Sequence, residues 1–306
     1  MESLVSVVCL CYNQESFIRQ ALDGFIMQKT NFPFEIVVHD DASTDNSANI
    51  IKEYEKRYSQ LFHCIYRKEN WYSQKKNILL DVFENYCSGK YIAYCEGDDY
   101  WTDPYKLQKQ VDFLESHPDY VMCSHRHDDY FQEKGEMLYD STGNETDYDL
   151  KSLIRGEWHF HPLTVMYRRD ALDSAHYSLY PVSMDAVLFY ELLRKGGKGH
   201  CFADSMAVYR HHATGVWSEV SLDRKREIEF KARIGIYEVE RTKEAALFLL
   251  CQFTKPIRRK WLFHQKSMLL KVTGILMKEL GVFYVLHILY RKFILSELMP
   301  VPDALK

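Results

Sequence analysis

The chain has 306 residues, enough for one large domain or for one domain with an appendage. Its composition, 46% hydrophobic and 27% charged, is ordinary for a globular protein. A formal net charge of −4 offers no general basic surface, so we expect no nucleic-acid partner.

Residues 4–100 alternate between strand-like and helix-like patterns. The predicted strands are Leu4–Cys11, Phe34–His39, Leu61–Tyr66 and Tyr91–Cys95, and the predicted helices are Glu15–Gln28, a segment capped by Ser43 or Thr44 that runs to about Tyr58, and Lys75–Tyr86. This order predicts an α/β fold with a mostly parallel sheet and right-handed crossovers.

The middle of the chain, about 100–220, is less regular. Its predicted elements are helices over Tyr105–Ser116 and Met184–Arg194, strands over Tyr120–His127, Thr164–Tyr167 and Ser205–Tyr209, and a polar loop over Asp140–Asp149. From about residue 222 the apolar pattern is helical throughout. Residues 243–306 hold eleven Lys and Arg against four Asp and Glu, so this tail carries about +7 and the remainder about −11.

Eight cysteines are present without a Cys-x-x-Cys pair. This spacing favours reduced, buried thiols in a cytosolic protein, with a zinc site as the alternative. Residues 1–20 lack a basic start followed by an apolar stretch, so we expect no secretory signal. The longest charge-free run in the C-terminal region, Leu280–Tyr290, is too short to span a bilayer, which takes about 20 residues.

Two clusters of acids follow apolar, strand-like runs: His39–Asp45 and Glu96–Asp99. In an open α/β sheet, ligands bind at the carboxyl ends of the strands, so both clusters are expected at one edge. Carboxylates with an open coordination position suit Mg²⁺ or Mn²⁺ bridging a diphosphate. Gly97 between Glu96 and Asp98 lets the backbone turn closely there.

Five segments, in order, resemble the motifs of family 2 glycosyltransferases with the GT-A fold. Val5–Gln14 resembles the opening strand followed by Tyr-Asn, His39–Asp45 the Asp-Asp-Gly-Ser-Thr-Asp element, Glu96–Asp99 the Asp-x-Asp motif, Met184–Asp185 the catalytic aspartate, and Met206–His212 with Gly215–Ser218 the Tyr-Arg-x-His element. The resemblance implies a Rossmann-like, mostly parallel GT-A catalytic domain over about 1–220. Its donor half is about 1–100 and its acceptor half about 101–220, and a basic, amphipathic helical region follows over 221–306.

The resemblance also implies a role for each matching residue. Tyr12, Asp41, Lys76, Glu96, Asp98, Asp99 and Arg210 would bind the donor, Asp98 and His212 would hold Mn²⁺ or Mg²⁺, and Asp185 would be the general base. Tyr12 would pack on the nucleoside and Asp41 would accept a hydrogen bond from the base. The implied reaction moves a sugar from a nucleoside-diphosphate sugar, UDP-sugar favoured, to a glycan hydroxyl with inversion. The implied acceptor is a lipid-linked intermediate of a bacterial surface polysaccharide.

The chain departs from this pattern in four places. Glu96 stands for the commoner first Asp, and its longer arm still reaches. Ala42 stands for Gly, which requires a negative φ at that residue. Leu10 replaces a polar residue that contacts the base in some relatives, and Met184 replaces an acid that often precedes the catalytic aspartate.

Two other function classes stay open at this point. A sugar-nucleotide pyrophosphorylase has a similar half but a Gly-rich phosphate loop, and Leu10–Gln14 contains no glycine. A non-catalytic sugar-nucleotide binder would need no base, so the presence of both Asp98 and Asp185 favours an enzyme.

Several histidines outside these motifs have two interpretations. His125, His127 and Asp129 share one face of a strand, and they indicate either a metal site or, in our preferred interpretation, the surface of the acceptor groove. His159 and His161 either line the acceptor cleft or pack among aromatic side chains.

The basic tail also has two interpretations. Its cations are Lys255, Arg258, Arg259, Lys260, Lys266, Lys271, Lys278, Arg291 and Lys292, interleaved with Trp261, Phe263, Phe283 and Tyr284. The tail either packs on the catalytic domain with its cations solvated, or it lies on an anionic membrane and delivers a lipid-linked acceptor. The second interpretation predicts a cytoplasmic protein that is peripheral on the inner face of the membrane.

Overall fold

The donor half folds into alternating strands and helices, as its sequence predicts. The computed structural model describes residues 2–141, 143–157, 160–181, 184–215, 220–254 and 265–293. The first elements are β1 (Val5–Cys11), α1 (Ile18–Ile26), β2 (Phe34–Asp40), α2 (Ser47–Arg57), β3 (Phe62–Tyr66), α3 (Ile78–Asn85) and β4 (Tyr91–Tyr94). The four strands pair in parallel in the order β3-β2-β1-β4, so β1, β2 and β4 all end at one edge of the sheet.

The acceptor half extends this sheet to ten strands. Its elements are β5 (Tyr100–Trp101), α4 (Lys106–Ser116), β6 (Tyr120–Phe131), β7 (Glu136–Leu138), β8 (Thr146–Tyr148), α5 (Leu150–Arg155), β9 (Met166–Arg168), α6 (Ser174–Tyr177), α7 (Asp185–Leu193) and β10 (Lys198–His211). The order continues β4-β9-β6-β10-β5, with β7 on β6 and β8 on β10. The longest pairings are parallel, whereas β9 is antiparallel to both of its neighbours.

Apolar clusters cover both faces of the sheet. On one face α1 buries Ile18, Ala21, Leu22 and Phe25, a helical spacing that forms a single stripe against the strands. Burial of each of the three large side chains, Ile18, Leu22 and Phe25, contributes about 1.5–3 kcal/mol. On the other face α3, α5 and α7 cover the sheet, so α7 is fixed beside the edge where β4 ends.

The C-terminal helices continue this second cluster. They are α8 (Leu222–Glu240), α9 (Lys243–Leu250), α10 (Lys266–Leu280) and α11 (Val282–Phe293). All apolar residues of α9 are buried in the cluster that also holds α5 and α7. The helical extension therefore packs on the catalytic fold, while a domain boundary near residue 220 stays a prediction. Among the described residues, no helix combines the length and the apolarity that crossing a bilayer requires.

Candidate active site

Two loops at the carboxyl edge of the sheet are joined by side-chain to backbone hydrogen bonds. The N–H of Asn13, after β1, donates to Ser43 Oγ at 2.9 Å, and the N–H of Thr44, after β2, donates to Asn13 Oδ1 at 2.7 Å. Ser43 thus joins the loops, and α2 begins only at Ser47. Tyr12 directly follows β1 at this edge, and its side chain is 44% exposed.

Ala42 has φ of 61°, so the expectation of negative φ is wrong. The backbone there takes the left-handed conformation that glycine adopts without strain. The neighbouring Asp40 Oδ2 accepts from Ser43 N–H at 3.2 Å, which holds this turn. The acidic loop therefore has the left-handed backbone conformation typical of glycine, although the residue at this position is alanine.

Asp41 is almost fully buried and shapes the loop after β3. Its two carboxylate oxygens accept from the N–H groups of Trp71 and Tyr72 at 2.8 and 2.9 Å. The exposed Lys76 lies with Nζ 4.4 Å from the centre of the Trp71 ring, and Arg67 stacks on the same ring at 3.6 Å. The structure therefore places Lys76 beside the loop that Asp41 anchors, and donor contact by either residue stays a prediction.

The second acidic cluster forms a tight turn directly after β4. Gly97 N–H donates to Leu10 O at 3.0 Å, which ties the turn to the end of β1. A Cβ at Gly97 would lie 2.5 Å from Gln14 Oε1 and 2.8 Å from Ile18 Cδ1. An alanine at this position would force the ends of the Gln14 and Ile18 side chains to shift, a close approach that the local sequence pattern does not reveal.

Arg210, in β10, is buried against this turn. Its Nε donates to the carbonyl of Asp98 at 2.8 Å, and its N–H donates to Asp99 Oδ1 at 2.8 Å. Its two terminal nitrogens donate to Gln20 and Gln132, at 2.5 and 2.6 Å. This geometry favours a positioning role for Arg210 over the direct donor contact that the motif predicts.

His212, the first residue after β10, contacts the same acidic turn as Arg210 does. Its Nε2 lies 3.1 Å from Asp98 Oδ2, and its Nδ1 lies 2.9 Å from Thr214 Oγ1. The ring of Phe17 packs on the imidazole with centroids 4.5 Å apart. The structure thus brings together Asp98 and His212, the two side chains predicted to hold a metal.

The acids of the turn fit a divalent cation. Glu96, Asp98 and Asp99 each offer a carboxylate oxygen, and these oxygens lie within 4.8 Å of one another. Burial, the charge of Asp98 and that of Glu96 raise the pKa of Asp99, although the Arg210 N–H opposes this. Crowded carboxylates of this kind lose their mutual repulsion when a cation with oxygen ligands binds among them.

Asp185 is the first residue of α7, and it lies close enough to the acidic turn for its charge to act on Glu96. It and Glu96 are open to solvent, but the surrounding protein displaces much of their hydration. This desolvation raises the pKa of Asp185 to about 6. Desolvation, and then the charges of Asp98 and Asp185, raise the pKa of Glu96 to about 8. Asp185 is therefore within electrostatic reach of the acidic turn, with a pKa suited to accepting a proton near neutral pH.

Several residues of the site were not anticipated from the sequence. Tyr94 OH donates to Glu96 Oε1 at 2.9 Å, and Gln20 and Gln132 hold Arg210. Tyr94 lies next to a predicted motif and its role could have been inferred, whereas the two glutamines carry no local signal. Val216–Ser218 of the last motif, and His159, lie outside the described residues.

Comparison with known proteins agrees with this geometry. Residues 6–175 match the model of glycosyl transferase family 2. This chain belongs to that family. An uncharacterized protein of Mycobacterium tuberculosis is 37% identical over 227 residues, which are 72% of this chain and 63% of that protein. The chain therefore spans less than two thirds of the length of its mycobacterial family 2 relatives.

Other similar proteins have more specific names. An Escherichia coli protein named UDP-Glc:alpha-D-GlcNAc-diphosphoundecaprenol beta-1,3-glucosyltransferase WfaP is 25% identical over 236 residues, 76% of this chain and 87% of WfaP. S. aureus TarS 1–349 in complex with UDP-GlcNAc superposes with a TM-score of 0.63 at 18% identity, covering 94% of this chain and 88% of TarS. The mannosyltransferase PcManGT from Pyrobaculum calidifontis, in complex with GDP-Man and Mn²⁺, superposes with a TM-score of 0.55 at 15% identity, covering 97% and 89%. These superpositions confirm the predicted GT-A fold.

Proposed function

We propose that this chain is an inverting glycosyltransferase that moves a sugar from a nucleoside-diphosphate sugar, UDP-sugar favoured, to a hydroxyl of a glycan. The supporting observation is that Asp185 lies close enough to the turn over Glu96–Asp99 for its charge to raise the pKa of Glu96, while the three acids of that turn offer carboxylate oxygens within 4.8 Å of one another. A base on one side and a diphosphate site on the other are the arrangement that a single displacement needs. The attacking hydroxyl and the leaving group then lie on opposite faces of the sugar, which inverts the anomeric carbon.

In this reaction Asp185 takes the proton of the acceptor hydroxyl as its oxygen attacks the anomeric carbon. The bond from that carbon to the diphosphate oxygen breaks as the new bond forms. Mn²⁺ or Mg²⁺, held by Asp98 with Glu96, Asp99 and His212 around it, would supply positive charge at the departing diphosphate. Arg210 keeps the turn in place by donating to Asp98 and Asp99.

The first experiment tests the donor site. UDP is titrated into the wild-type protein and into Asp98→Ala, with and without Mn²⁺, and Asp119→Ala serves as the control because Asp119 is exposed and pairs with Lys198 at the far side of the fold. We expect Mn²⁺ to strengthen UDP binding in the wild type and in the control, but not in Asp98→Ala. Equal, metal-independent affinities in all three proteins would contradict the metal role.

A second experiment separates the competing reactions. UDP-sugar consumption is measured without acceptor, with glycan acceptors and with pyrophosphate. Consumption that requires a glycan, with inverted configuration in the product, is the result expected of a glycosyltransferase. Consumption that requires pyrophosphate would identify a pyrophosphorylase, and a retained configuration would contradict single displacement.

The acceptor is proposed to be lipid-linked, with the C-terminal helices lying on an anionic membrane. On α10, Lys266, Leu270 and Lys278 are exposed on the same side of the helix. On α11, Phe283 is 90% exposed at the start of the helix. Cations beside solvent-exposed apolar side chains suit an anionic lipid surface, where each basic residue contributes about 1 kcal/mol. The predicted cations at 255–260 lie outside the described residues.

Truncation near residue 243 would remove α9 from the core, so point substitutions make the better test. Phe283→Glu and Lys278→Glu are compared with Leu179→Glu, since Leu179 is 60% exposed outside these helices. We expect flotation with anionic vesicles at low salt for the wild type and Leu179→Glu, and a loss for the other two. Equal flotation of all variants, or none for the wild type, would leave these helices with a packing role only.

A further inference from the structure

Five rings form a row on one side of β6 and β10. Tyr209 lies 4.5 Å from His161 and 4.7 Å from His211, and His127 lies 5.0 Å from His161, measured between ring centroids. Phe131 stacks on His211 at 4.5 Å with the planes 7° apart. Since alternate residues of a strand share a face and Tyr209 is paired with Asp129, this row is one continuous surface.

The ring row lies beside the catalytic groups without being part of them. Arg210 and His212, which alternate with Tyr209 and His211 along the chain, contact the acidic turn. Phe160, next to His161, packs on Phe189 of α7, the helix that begins with Asp185, at 5.5 Å. The row therefore lies near the acidic turn, whose carboxylates act on Tyr209, and its member His161 is adjacent in sequence to a residue that packs on α7.

The row offers ring faces and hydrogen-bonding nitrogens together. His161 Nδ1 is buried and has no hydrogen-bond partner among the described residues, so no protein group competes for the hydrogen bonds of this imidazole at that nitrogen. Asp129 Oδ1 lies 2.7 Å from His211 Nε2 and fixes that ring. Tyr209, His127 and His211 are partly exposed, so a ligand can reach them.

The charge around the row selects against an anion. Asp129 contacts His211 of the row, and burial lowers the pKa of His127 although the charges of Asp129, Asp140 and Asp128 oppose this shift, so three carboxylates act on that ring. The nearest lysine contact in this region is at the far end, where Lys134 Nζ lies 5.7 Å from the centre of the Phe131 ring. A carboxylate or phosphate placed on Tyr209 and His161 would be repelled.

We propose that Tyr209, His161 and His127 form the binding surface for an uncharged pyranose ring of the acceptor, with the imidazole of the partly exposed His161 bonded to one of its hydroxyls. This inference deepens the proposed function, because it specifies the class of acceptor and the residues that select it. An apolar face of the sugar packs on Tyr209 and its hydroxyls bond to the imidazole nitrogens.

The test is direct binding of methyl β-glycosides of glucose, galactose and N-acetylglucosamine, and of methyl β-glucuronide. Binding is monitored by saturation-transfer NMR titrations with UDP and Mg²⁺ present, because paramagnetic Mn²⁺ would broaden the ligand signals. His161→Phe keeps a ring and removes the nitrogens, and Tyr209→Ala removes the stacking face. His117→Phe is the matched control, because His117 stacks on Phe113 at another edge of the fold.

We expect at least one neutral glycoside to bind more tightly than the glucuronide, and His161→Phe to weaken that binding about threefold to tenfold, the worth of one neutral hydrogen bond. Tyr209→Ala should weaken it further, and His117→Phe should match the wild type. Unchanged binding in both cleft variants, tighter binding of the glucuronide, or no binding of any neutral glycoside would overturn the inference. Failure of the metal-dependent UDP titration would instead overturn the donor proposal, so the two results are distinguishable.

Discussion

The donor and acceptor halves build their parts of the cleft in different ways. In the donor half, β1, β2, β3 and β4 pair in parallel with unbroken register, and backbone hydrogen bonds from Asp41 N–H to Cys11 O and from Gly97 N–H to Leu10 O hold the loops at their ends. In the acceptor half, the pairing of β10 with β6 shifts register three times, and single long-range side chains such as Arg210 hold the pieces together. Regular strands set the position of the donor site, whereas side-chain contacts between distant segments set the position of the acceptor site.

The largest effect expected from this difference is on Asp185, the acceptor-side base. Asp185→Asn keeps the shape of the side chain but cannot take the proton, so turnover should fall by roughly 10²–10⁴ while the Kd for UDP stays unchanged. Asp223→Asn is the control because Asp223 also lies in the first turn of a helix. Turnover close to wild type in Asp185→Asn would place the base elsewhere.

The pH profile tests the same residue without a substitution. Desolvation raises the pKa of Asp185 to about 6, so the carboxylate is deprotonated above that pH and protonated below it. We therefore expect kcat/KM to fall roughly tenfold for each pH unit below about 6. A rate that stays flat down to the ordinary range of an aspartate would contradict this assignment.

A donor-side prediction concerns the close approach at Gly97. Gly97→Ala puts a Cβ against Gln14 and Ile18, so stability in urea should fall by about 1–3 kcal/mol and UDP should bind more weakly as the acidic turn shifts. Gly274→Ala is the matched control, since its Cβ meets nothing within 4 Å and alanine favours a helix. Equal stability changes of the two variants would show that the turn accommodates the added methyl group without strain.

Lys106 behind the cleft gives a smaller, pH-dependent effect. It is fully buried against the Trp101 ring, with Gln110 Oε1 at 2.6 Å, and burial lowers its pKa to about 7. Between pH 7 and about 10 the unfolded chain holds this proton and the folded protein does not, so the contribution of Lys106 to stability rises with pH. We expect a rise of about 1 kcal/mol between pH 7 and 8 relative to Lys106→Met.

Comparison with the variant is necessary because other groups titrate in the same range. Glu96, with a pKa of about 8, acts in the opposite direction. Lys109→Met serves as the control, since Lys109 is only partly buried and its hydrogen bond to Asp103 raises its pKa instead of lowering it. Identical pH slopes for the wild type and Lys106→Met would mean that the buried amine keeps its proton.

The smallest expected effect is at the strained turn of the donor half. Ala42→Gly removes the strain of a positive φ but adds entropy to the unfolded chain, so stability should rise by no more than about 1 kcal/mol. Asn13→Gly is the contrasting variant, because Asn13 also has positive φ, at 52°, but its side chain accepts from Thr44 N–H. It should destabilise, and a gain equal to that of Ala42→Gly would contradict the role of that hydrogen bond.

The sequence predicted the donor half well because strand, loop and acid follow one another along the chain there. Its four strands were placed within a residue or two of their bounds. The strand over Ser205–Tyr209 was predicted too short, since β10 runs over Lys198–His211 through polar residues and bulges. β7 and β8 are short and were missed, and β8 lies within the predicted loop Asp140–Asp149.

At the candidate site, residue types were easier to predict than their contacts. Asp98 and His212 were expected together and do lie together. The partners of Arg210 were out of reach, because Gln20 is 190 positions away in sequence and nothing near it marks a contact. Side chains that bond across the fold depend on tertiary packing, which a local pattern does not encode.

The anchor at Asp41 has a consequence for how this scaffold can diversify. Its carboxylate holds the loop after β3 by the backbone N–H groups of Trp71 and Tyr72, and these groups are present whatever side chains stand there. The side chain of Tyr72 is 67% exposed, and the hydrogen bond to Asp41 uses only the backbone of this residue. Substitution of the residue at position 72, in evolution or by design, therefore leaves both hydrogen bonds to Asp41 intact. The side chains of this loop, at the rim of the proposed donor site, can therefore vary while Asp41 keeps its backbone in position.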